Sequence, residues 1–167
     1  MSVLDGAALL LRLVVGLTMM AHGYSHVWGG GGLAGTARWF GSMGLRPPKL
    51  HAAMSGAGEL GAGAALALGL LTPLAAAFIV GAMVIAFVVA HRRNGFFVFN
   101  EGYEYVLVIA VVCAVIGLLG PGTISVDHLL GLDRTLAGGT GLALTVGLGV
   151  GGAAVLLAAT WRPGRDG

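Results

Sequence analysis

The stretch that decides the fold is Leu50–Pro73, LHAAMSGAGELGAGAALALGLLTP, in which Glu59 is the single carboxylate. A helix needs about 20 predominantly apolar residues to cross the hydrocarbon core of a bilayer, and this stretch is long enough. A charge near the middle of a membrane helix costs about 2.5–3.5 kcal/mol on insertion scales, so Glu59 needs a partner, a cavity or a proton. The stretch therefore predicts a membrane helix organised around one carboxylate.

The composition of the whole chain agrees with this prediction. Of its 167 residues 57% are hydrophobic and 10% are charged, and the mean hydropathy is +0.92. A soluble domain carries about 25% charged residues. Because apolar runs of membrane-spanning length recur along the chain, the sequence predicts a polytopic membrane protein.

Five runs are predicted to span the membrane, and they lack the alternation of a β-barrel, so we expect helices. The predicted fold is all-α: a four-helix transmembrane bundle in residues 1–127, then a polar connector and an additional C-terminal fifth transmembrane helix in residues 128–167. Between the first two spans, Leu33, Ala37, Trp39, Phe40 and Met43 can line one side of a short interfacial segment. The predicted spans are Gly6–Trp28, Leu50–Leu71, Pro73–His91, Gly102–Leu119 and Gly138–Trp161.

The lysine and arginine residues predict the orientation. Seven of them flank one set of segment ends, namely Arg38, Arg46, Lys49, Arg92, Arg93, Arg162 and Arg165, whereas Arg134 lies in a loop on the other side. The positive-inside rule places the first set in the cytoplasm, with the N-terminus outside and the C-terminus cytoplasmic, in a bacterial inner membrane. Since topology explains the net charge of +2, we expect no nucleic-acid partner.

Two other features of the sequence do not indicate a functional site. Gly56–Gly61 matches the dinucleotide fingerprint GxGxxG, but that fingerprint requires a preceding strand and a βαβ unit. Inside a membrane helix, small residues instead let neighbouring backbones approach closely. Cys113 is the single cysteine and lies in an apolar run, so we expect it to pack in a helix.

Candidate site residues gather at the predicted cytoplasmic ends of the helices. His22 and His26 are four residues apart and therefore share one helix face. Glu59 lies about 12 Å deeper than His51 at the helical rise per residue. Three interpretations stay open: a quinone-headgroup or proton-relay site, a metal or haem site, and ordinary interfacial polarity. No motif fixes a full ligand set, so no metal is predicted. The other members of this layer are His51, His91, Glu101, Glu104, Tyr103 and Tyr105.

Arg12 enters the membrane from the opposite end of the first helix. In a core of ~30 Å, the Arg12 and Glu59 backbones lie roughly 10 Å apart in depth, a distance that two long side chains can largely cover. The depth predicts an intramembrane ion pair. In the alternative interpretation, Arg12 extends to the outer surface and Glu59 is protonated.

Residues 9–127 resemble the DoxX family of small four-helix membrane proteins. The resemblance implies a four-helix bundle and membrane redox work, since relatives are described as thiosulfate:quinone oxidoreductase subunits, quinone-detoxification proteins or partners in oxidative-stress complexes. The fifth helix departs from the family pattern, as does Ser25-His26 where many relatives have a lysine. The matching motifs are Leu9–Leu13, Ala21–Gly23, Phe40 with Gly44, Glu59–Gly63, Leu68–Thr72, Glu104-Tyr105, Gly120–Gly122 and Ser125–Asp127.

These observations lead to a functional hypothesis. The chain is predicted to bind a quinone or relay protons as a component of a membrane oxidoreductase or oxidative-stress complex, with Arg12, Glu59 and Glu104 as catalytic residues. His22, His26, His51, His91 and Tyr105 are the predicted ligand-binding residues. The alternative is a non-catalytic scaffold or accessory subunit of a respiratory complex. The expected partners are the lipid bilayer and either other subunits or further copies of the chain, and a quinone is the candidate cofactor.

Overall fold

The computed structural model describes residues 2–163, so Arg165 lies outside the described residues. This part of the chain is helical, with no strand beyond an isolated bridge between Leu45 and Trp161. The all-α prediction is confirmed, and the spans begin and end within a few residues of their predicted bounds. The helices are α1 (Val3–Trp28), α2 (Gly32–Ser42), α3 (Pro48–Leu68), α4 (Thr72–His91), α5 (Glu104–Leu119), α6 (Val126–Leu129) and α7 (Gly138–Thr160).

Three of these helices, α1, α4 and α7, are long and apolar enough to cross a membrane. α5 is shorter, with 16 residues, but is equally apolar in character. α3 has 21 residues, and at 1.5 Å per residue it is about as long as the hydrocarbon core is thick. Its lower hydropathy reflects the polar residues that it carries into the bundle. The chain is therefore a multi-pass membrane protein.

Glycines bring α1 and α3 into backbone contact at two levels. A Cβ atom built on Gly16 would lie 2.6 Å from the carbonyl oxygen of Gly63, and one on Gly23 would lie 2.8 Å from that of Gly56. No larger residue fits at these crossings without moving a helix. The glycines of the GxGxxG match thus lie within α3, where Gly56 serves helix packing, as the sequence indicates.

The core of the bundle lies between α1, α3, α4 and α5. Cys113 is fully buried in it, as predicted. Each of the four helices contributes large apolar side chains, so the four form a closed bundle. The buried cluster includes Val15, Met19, Leu66, Ile79, Met83, Val106, Ile109 and Ile116.

The fifth long helix, α7, packs on the outside of α4. A Cβ atom on Gly149 would lie 2.8 Å from the carbonyl oxygen of Ala77, so the two backbones touch there. The hydroxyl of Thr145 donates a hydrogen bond of 3.3 Å to the carbonyl oxygen of Pro73. α7 thus adds to the four-helix bundle without entering its core, and the division at residues 127 and 128 stays a prediction.

The predicted ion pair between Arg12 and Glu59 is wrong. The fully buried guanidinium of Arg12 donates to the carbonyl oxygens of Pro121 and Ile124, the latter at 2.5 Å. These carbonyls are available because they belong to the non-helical turn after α5 and so have no helical partner. Asp127 is also fully buried, and both its backbone and the Arg12 guanidinium lie beside Gly69.

Asp127 also caps the start of α4. Its Oδ1 accepts from the backbone N–H of Leu71 at 2.7 Å, and its Oδ2 accepts from the N–H of Thr72 at 2.8 Å and from the Thr72 hydroxyl at 2.7 Å. The N-cap residue of α4 is Leu71, whose side chain cannot accept a hydrogen bond. Asp127 therefore supplies from a distant segment the acceptor that this helix start lacks.

We predict that Asp127→Ala lowers the thermal unfolding midpoint of the detergent-solubilised protein by at least several degrees. Loss of a helix cap alone costs about 1 kcal/mol, and the donors of the three hydrogen bonds that Asp127 accepts would lose their acceptor. Each kcal/mol corresponds to roughly 2–4 °C in a chain of this size.

Asp133→Asn is the matched control for this measurement. Asp133 pairs with His128 at 2.7 Å on the surface, and exposed ion pairs contribute at most about 1 kcal/mol. Equal unfolding midpoints for the two variants would contradict the assigned role of Asp127.

Candidate functional site

A cavity of about 590 Å³ is located at the end of the bundle where α2 lies. Its walls come from α1, α2, α3, α4, α5 and α7, and most of the lining side chains are apolar. The volume is in the range of small-molecule sites, which are usually apolar with a few convergent polar groups. Six of the eight predicted site residues line this cavity: His22, His26, His51, Glu59, His91 and Tyr105.

Glu59 is the deepest ionisable group of the cavity and is only 6% exposed. Its Oε1 accepts a hydrogen bond of 2.5 Å from the hydroxyl of Ser55, one helical turn earlier. Its Oε2 lies 3.6 Å from Nε2 of His26 and has no hydrogen-bond partner among the described residues. A buried carboxylate oxygen without a hydrogen bond is costly, so this atom is available to a ligand.

Ser55 is a site residue that the sequence analysis missed. It lies between His51 and Glu59 at intervals of four residues, so all three share one face of α3. The same spacing is visible in the sequence, and it was the signal that could have identified Ser55. The three residues form a polar line from the rim of the cavity to its deep end.

His26 is held in an aromatic environment supplied by α2. Its ring centroid lies 6.3 Å from that of Trp39 and 5.7 Å from that of Phe40, which meets it edge-on. The hydroxyl of Thr36 fixes the two helices together by donating to the carbonyl oxygen of His26 at 2.9 Å. The predicted short segment is thus a helix whose aromatic side chains orient His26 towards Glu59.

His22 stacks on Tyr105 of α5. Their ring centroids are 5.8 Å apart and their planes differ by 25°. The Nδ1 atom of His22 donates to the carbonyl oxygen of Thr18 at 3.0 Å, because a carbonyl can only accept. The Nε2 atom of His22 is therefore left as an acceptor in the neutral ring.

His51 and His91 lie at the rim and bind loop carbonyls. Nε2 of His51 donates to the carbonyl oxygen of Arg46 at 3.2 Å, and Nδ1 of His91 donates to that of Glu101 at 2.6 Å. The last five residues of α4, Phe87–His91, form a π-helical segment that ends at His91. Single π-helical turns of this kind occur frequently at functional sites.

Two of the three predicted catalytic residues lie outside the cavity. Arg12 is at the opposite end of the bundle. Glu104 stabilises the loop before α5, because its Oε2 accepts from the backbone N–H of Val98 at 3.0 Å. Only Glu59 of the three is thus placed among the ligand-binding residues. In residues 2–163 no group of three His, Cys, Asp or Glu side chains is placed to hold a metal ion.

The arrangement is suited to proton exchange with a bound molecule. A carboxyl and an imidazole lie within 3.6 Å of one another, and both types of group act as proton donors and acceptors in proteins. Either group can donate to a ligand oxygen in its protonated form and accept from a ligand hydroxyl in its deprotonated form. The apolar walls keep bulk water from competing for these hydrogen bonds.

Comparison with known proteins places the chain in one family. The sequence model of the DoxX family matches residues 7–92, which cover α1 to α4 and all the predicted site residues except Glu104 and Tyr105. No curated protein sequence and no solved structure matches the chain. Because the matched region is just over half of the 167 residues and contains the carboxylate-bearing helix, this integral membrane protein belongs to the DoxX family.

Proposed function

We propose that the cavity binds the headgroup of a quinone-type molecule and that Glu59 and His26 exchange a proton with it. One observation carries the proposal: Oε2 of Glu59 is buried and free of hydrogen bonds beside His26, at the wall of an apolar cavity. A quinone oxygen can accept a proton there, and a hydroquinone hydroxyl can donate one. This proton exchange is the whole of the chemistry that we propose for this chain.

The proton balance can be written for one quinone oxygen. The O–H bond of protonated Glu59 breaks, a new O–H bond forms on the quinone oxygen, and the electron comes from a separate donor subunit. His26 then returns a proton to Glu59 across the 3.6 Å gap. Ser55 keeps the carboxyl group in place throughout by donating to its other oxygen.

The aromatic walls support a planar ligand. The His22–Tyr105 stack and the His26–Trp39 pair each present a flat surface, with interplanar angles of 25° and 24°. Aromatic rings favour offset-stacked arrangements with other rings at centroid distances of about 4.5–7 Å. A quinone ring between such surfaces would place its oxygens at the polar line of α3.

The proposed setting is a bacterial inner membrane with the α2 end of the bundle in the cytoplasm. In the structure the basic loop ends meet at this end. The backbone N–H of Arg46 donates to the carbonyl oxygen of Thr160 at 3.0 Å, and Arg92 lies over the ring of Trp161 at 5.5 Å. Positive charge concentrated at one end of the bundle supports a cytoplasmic location for it.

The second candidate function is that of an accessory subunit, working beside other subunits or further copies of the chain. The outer face of α7 favours it. Cβ atoms built on Gly147 and Gly151 would meet nothing within 4 Å, so these glycines, four residues apart, point away from the bundle. Small residues at this spacing allow another membrane helix to approach closely.

Glu59→Gln tests the first candidate. In lipid nanodiscs, the wild type should bind a short-chain ubiquinone analogue in its quinone and hydroquinone forms. The variant should lose at least about tenfold in hydroquinone affinity, the value of one hydrogen bond to a charged group.

Fluorescence quenching of the protein by the analogue provides the readout, since Trp39 lines the cavity. Glu104→Gln is the matched control. It removes a carboxylate that lies at the same end of the bundle as Glu59 but outside the cavity. Absence of quinone binding by the wild type, or equal hydroquinone affinities of the two variants, would refute the proposed function.

Gly147→Leu with Gly151→Leu tests the second candidate. Neither substitution meets another part of the bundle, so the isolated chain should keep its fold and unfolding midpoint. If this face of α7 contacts a helix of another subunit, the double variant should release that subunit. The mass of the gently solubilised particle, measured by native mass spectrometry, should then fall by the mass of the subunit. An unchanged mass would exclude this face of α7 as an interface.

A further inference from the structure

One side of the cavity faces the lipid between α3 and α7. Both helices pack on α4, and the cavity between them is lined by Met54 of α3, Phe78 of α4 and Gly152 of α7. All three residues are exposed although they lie within helices. In a membrane-spanning helix pair, such a surface is in contact with acyl chains.

The side chain of Phe78 lines the cavity on this side, next to the turn of α3 that carries Glu59. Its ring lies against the backbone of α3 at Gly58, the residue before Glu59. A Cβ atom built on Gly58 would lie 2.7 Å and 2.9 Å from two atoms of the ring. The position of the ring therefore depends on the absence of a side chain at position 58, and Phe78 is 39% exposed.

The aqueous end of the cavity is closed in a different way. Met43 and Leu45 form part of this wall, and hydrogen bonds hold their segment against the residues that follow α7. The backbone N–H of Arg162 donates to the carbonyl oxygen of Gly44 at 2.8 Å, and the indole N–H of Trp161 donates to that of Met43 at 2.9 Å. Separating these segments would break both hydrogen bonds, whereas the phenyl ring of Phe78 has no group that forms one.

We propose that the ligand enters the cavity from the bilayer, between α3 and α7, and that the Phe78 side chain is the gate. The ligand class is a membrane-dissolved amphiphile: its headgroup reaches Glu59 while an apolar tail remains in the gap beside Met54 and Gly152. The identity of the headgroup rests on the proposed function, but the entry route does not.

The route can be tested without any quinone. Ala82 lines the cavity one helical turn after Phe78, so Ala82→Cys in a Cys113→Ala background provides a reporter thiol. The full-length protein in liposomes is treated either with pyrenylmaleimide, which dissolves in the bilayer, or with a charged methanethiosulfonate, which stays in water. Labelling rates are then compared.

The membrane-dissolved reagent should label the thiol faster than the charged one. Adding Phe78→Ala should raise its rate by at least about threefold, and adding Phe78→Trp should lower it by a similar factor, because the two changes shift the fraction of open gate in opposite directions. The rate of the charged reagent should be the same in both variants. Phe87→Ala is the matched control, an exposed phenylalanine of the same helix that does not line the cavity.

Faster labelling by the charged reagent, or equal effects of the Phe78 and Phe87 variants, would overturn the proposed route. Phe78→Leu replaces Phe78→Ala if the latter elutes as an aggregate. Gated labelling in a protein that binds no quinone would refute the proposed function and leave the entry route standing. If the protein binds quinone but the Phe78 variants do not change the labelling rate, the entry route would be refuted and the proposed function would stand.

Discussion

The backbone contact between α1 and α3 is the interaction on which the rest of the structure depends. At Gly16 with Gly63 and at Gly23 with Gly56 the two helices approach so closely that a Cβ atom would lie within 3 Å of the facing carbonyl oxygen. The gain in a membrane comes from packing and not from leaving water, so small residues are what make such a contact favourable. This contact sets His26 of α1 beside Glu59 of α3. A residue larger than glycine at these crossings would separate the proposed acid from its imidazole.

The buried charged side chains of the bundle form two groups, one at each end. At one end, Arg12 and Asp127 are fully buried and bind the backbone of two turns and the start of α4. At the other end, Glu59 receives one hydrogen bond from Ser55. Each group has one buried atom without a hydrogen-bond partner, Nε of Arg12 and Oε2 of Glu59. Of these two residues, only Glu59 lines the cavity, so a ligand can satisfy its free oxygen and offset the cost of burying it.

The sequence allowed the helices to be predicted because membrane-spanning length and glycine or proline boundaries are local properties. The Arg12–Glu59 pairing failed because depth along a helix says nothing of which way a side chain points, or that the carbonyls of Pro121 and Ile124 were free to accept. Asp127 left a signal in the sequence, since a helix beginning at Leu-Thr-Pro without a capping side chain requires an acceptor from elsewhere. Six candidate site residues line one cavity because five of them lie near helix ends at the same end of the bundle and Glu59 lies on the face of α3 that begins at His51. The cavity between them depends on how α2, α3 and α7 lie against α4, which no local pattern specifies.

The two walls of the cavity separate the routes that a quinone reaction needs. A lipid-soluble ligand and a proton come from different phases, and a site open to water on the ligand's side would lose its apolar character. Here hydrogen bonds between the loop before α3 and the end of α7 close the aqueous end, while a side chain alone lies across the lipid side. His51, Ser55 and Glu59 nevertheless connect the rim to the deep end of the cavity along one face of α3. Under the proposed function and entry route, protons would move along this polar line from the aqueous end while the ligand exchanges with the bilayer.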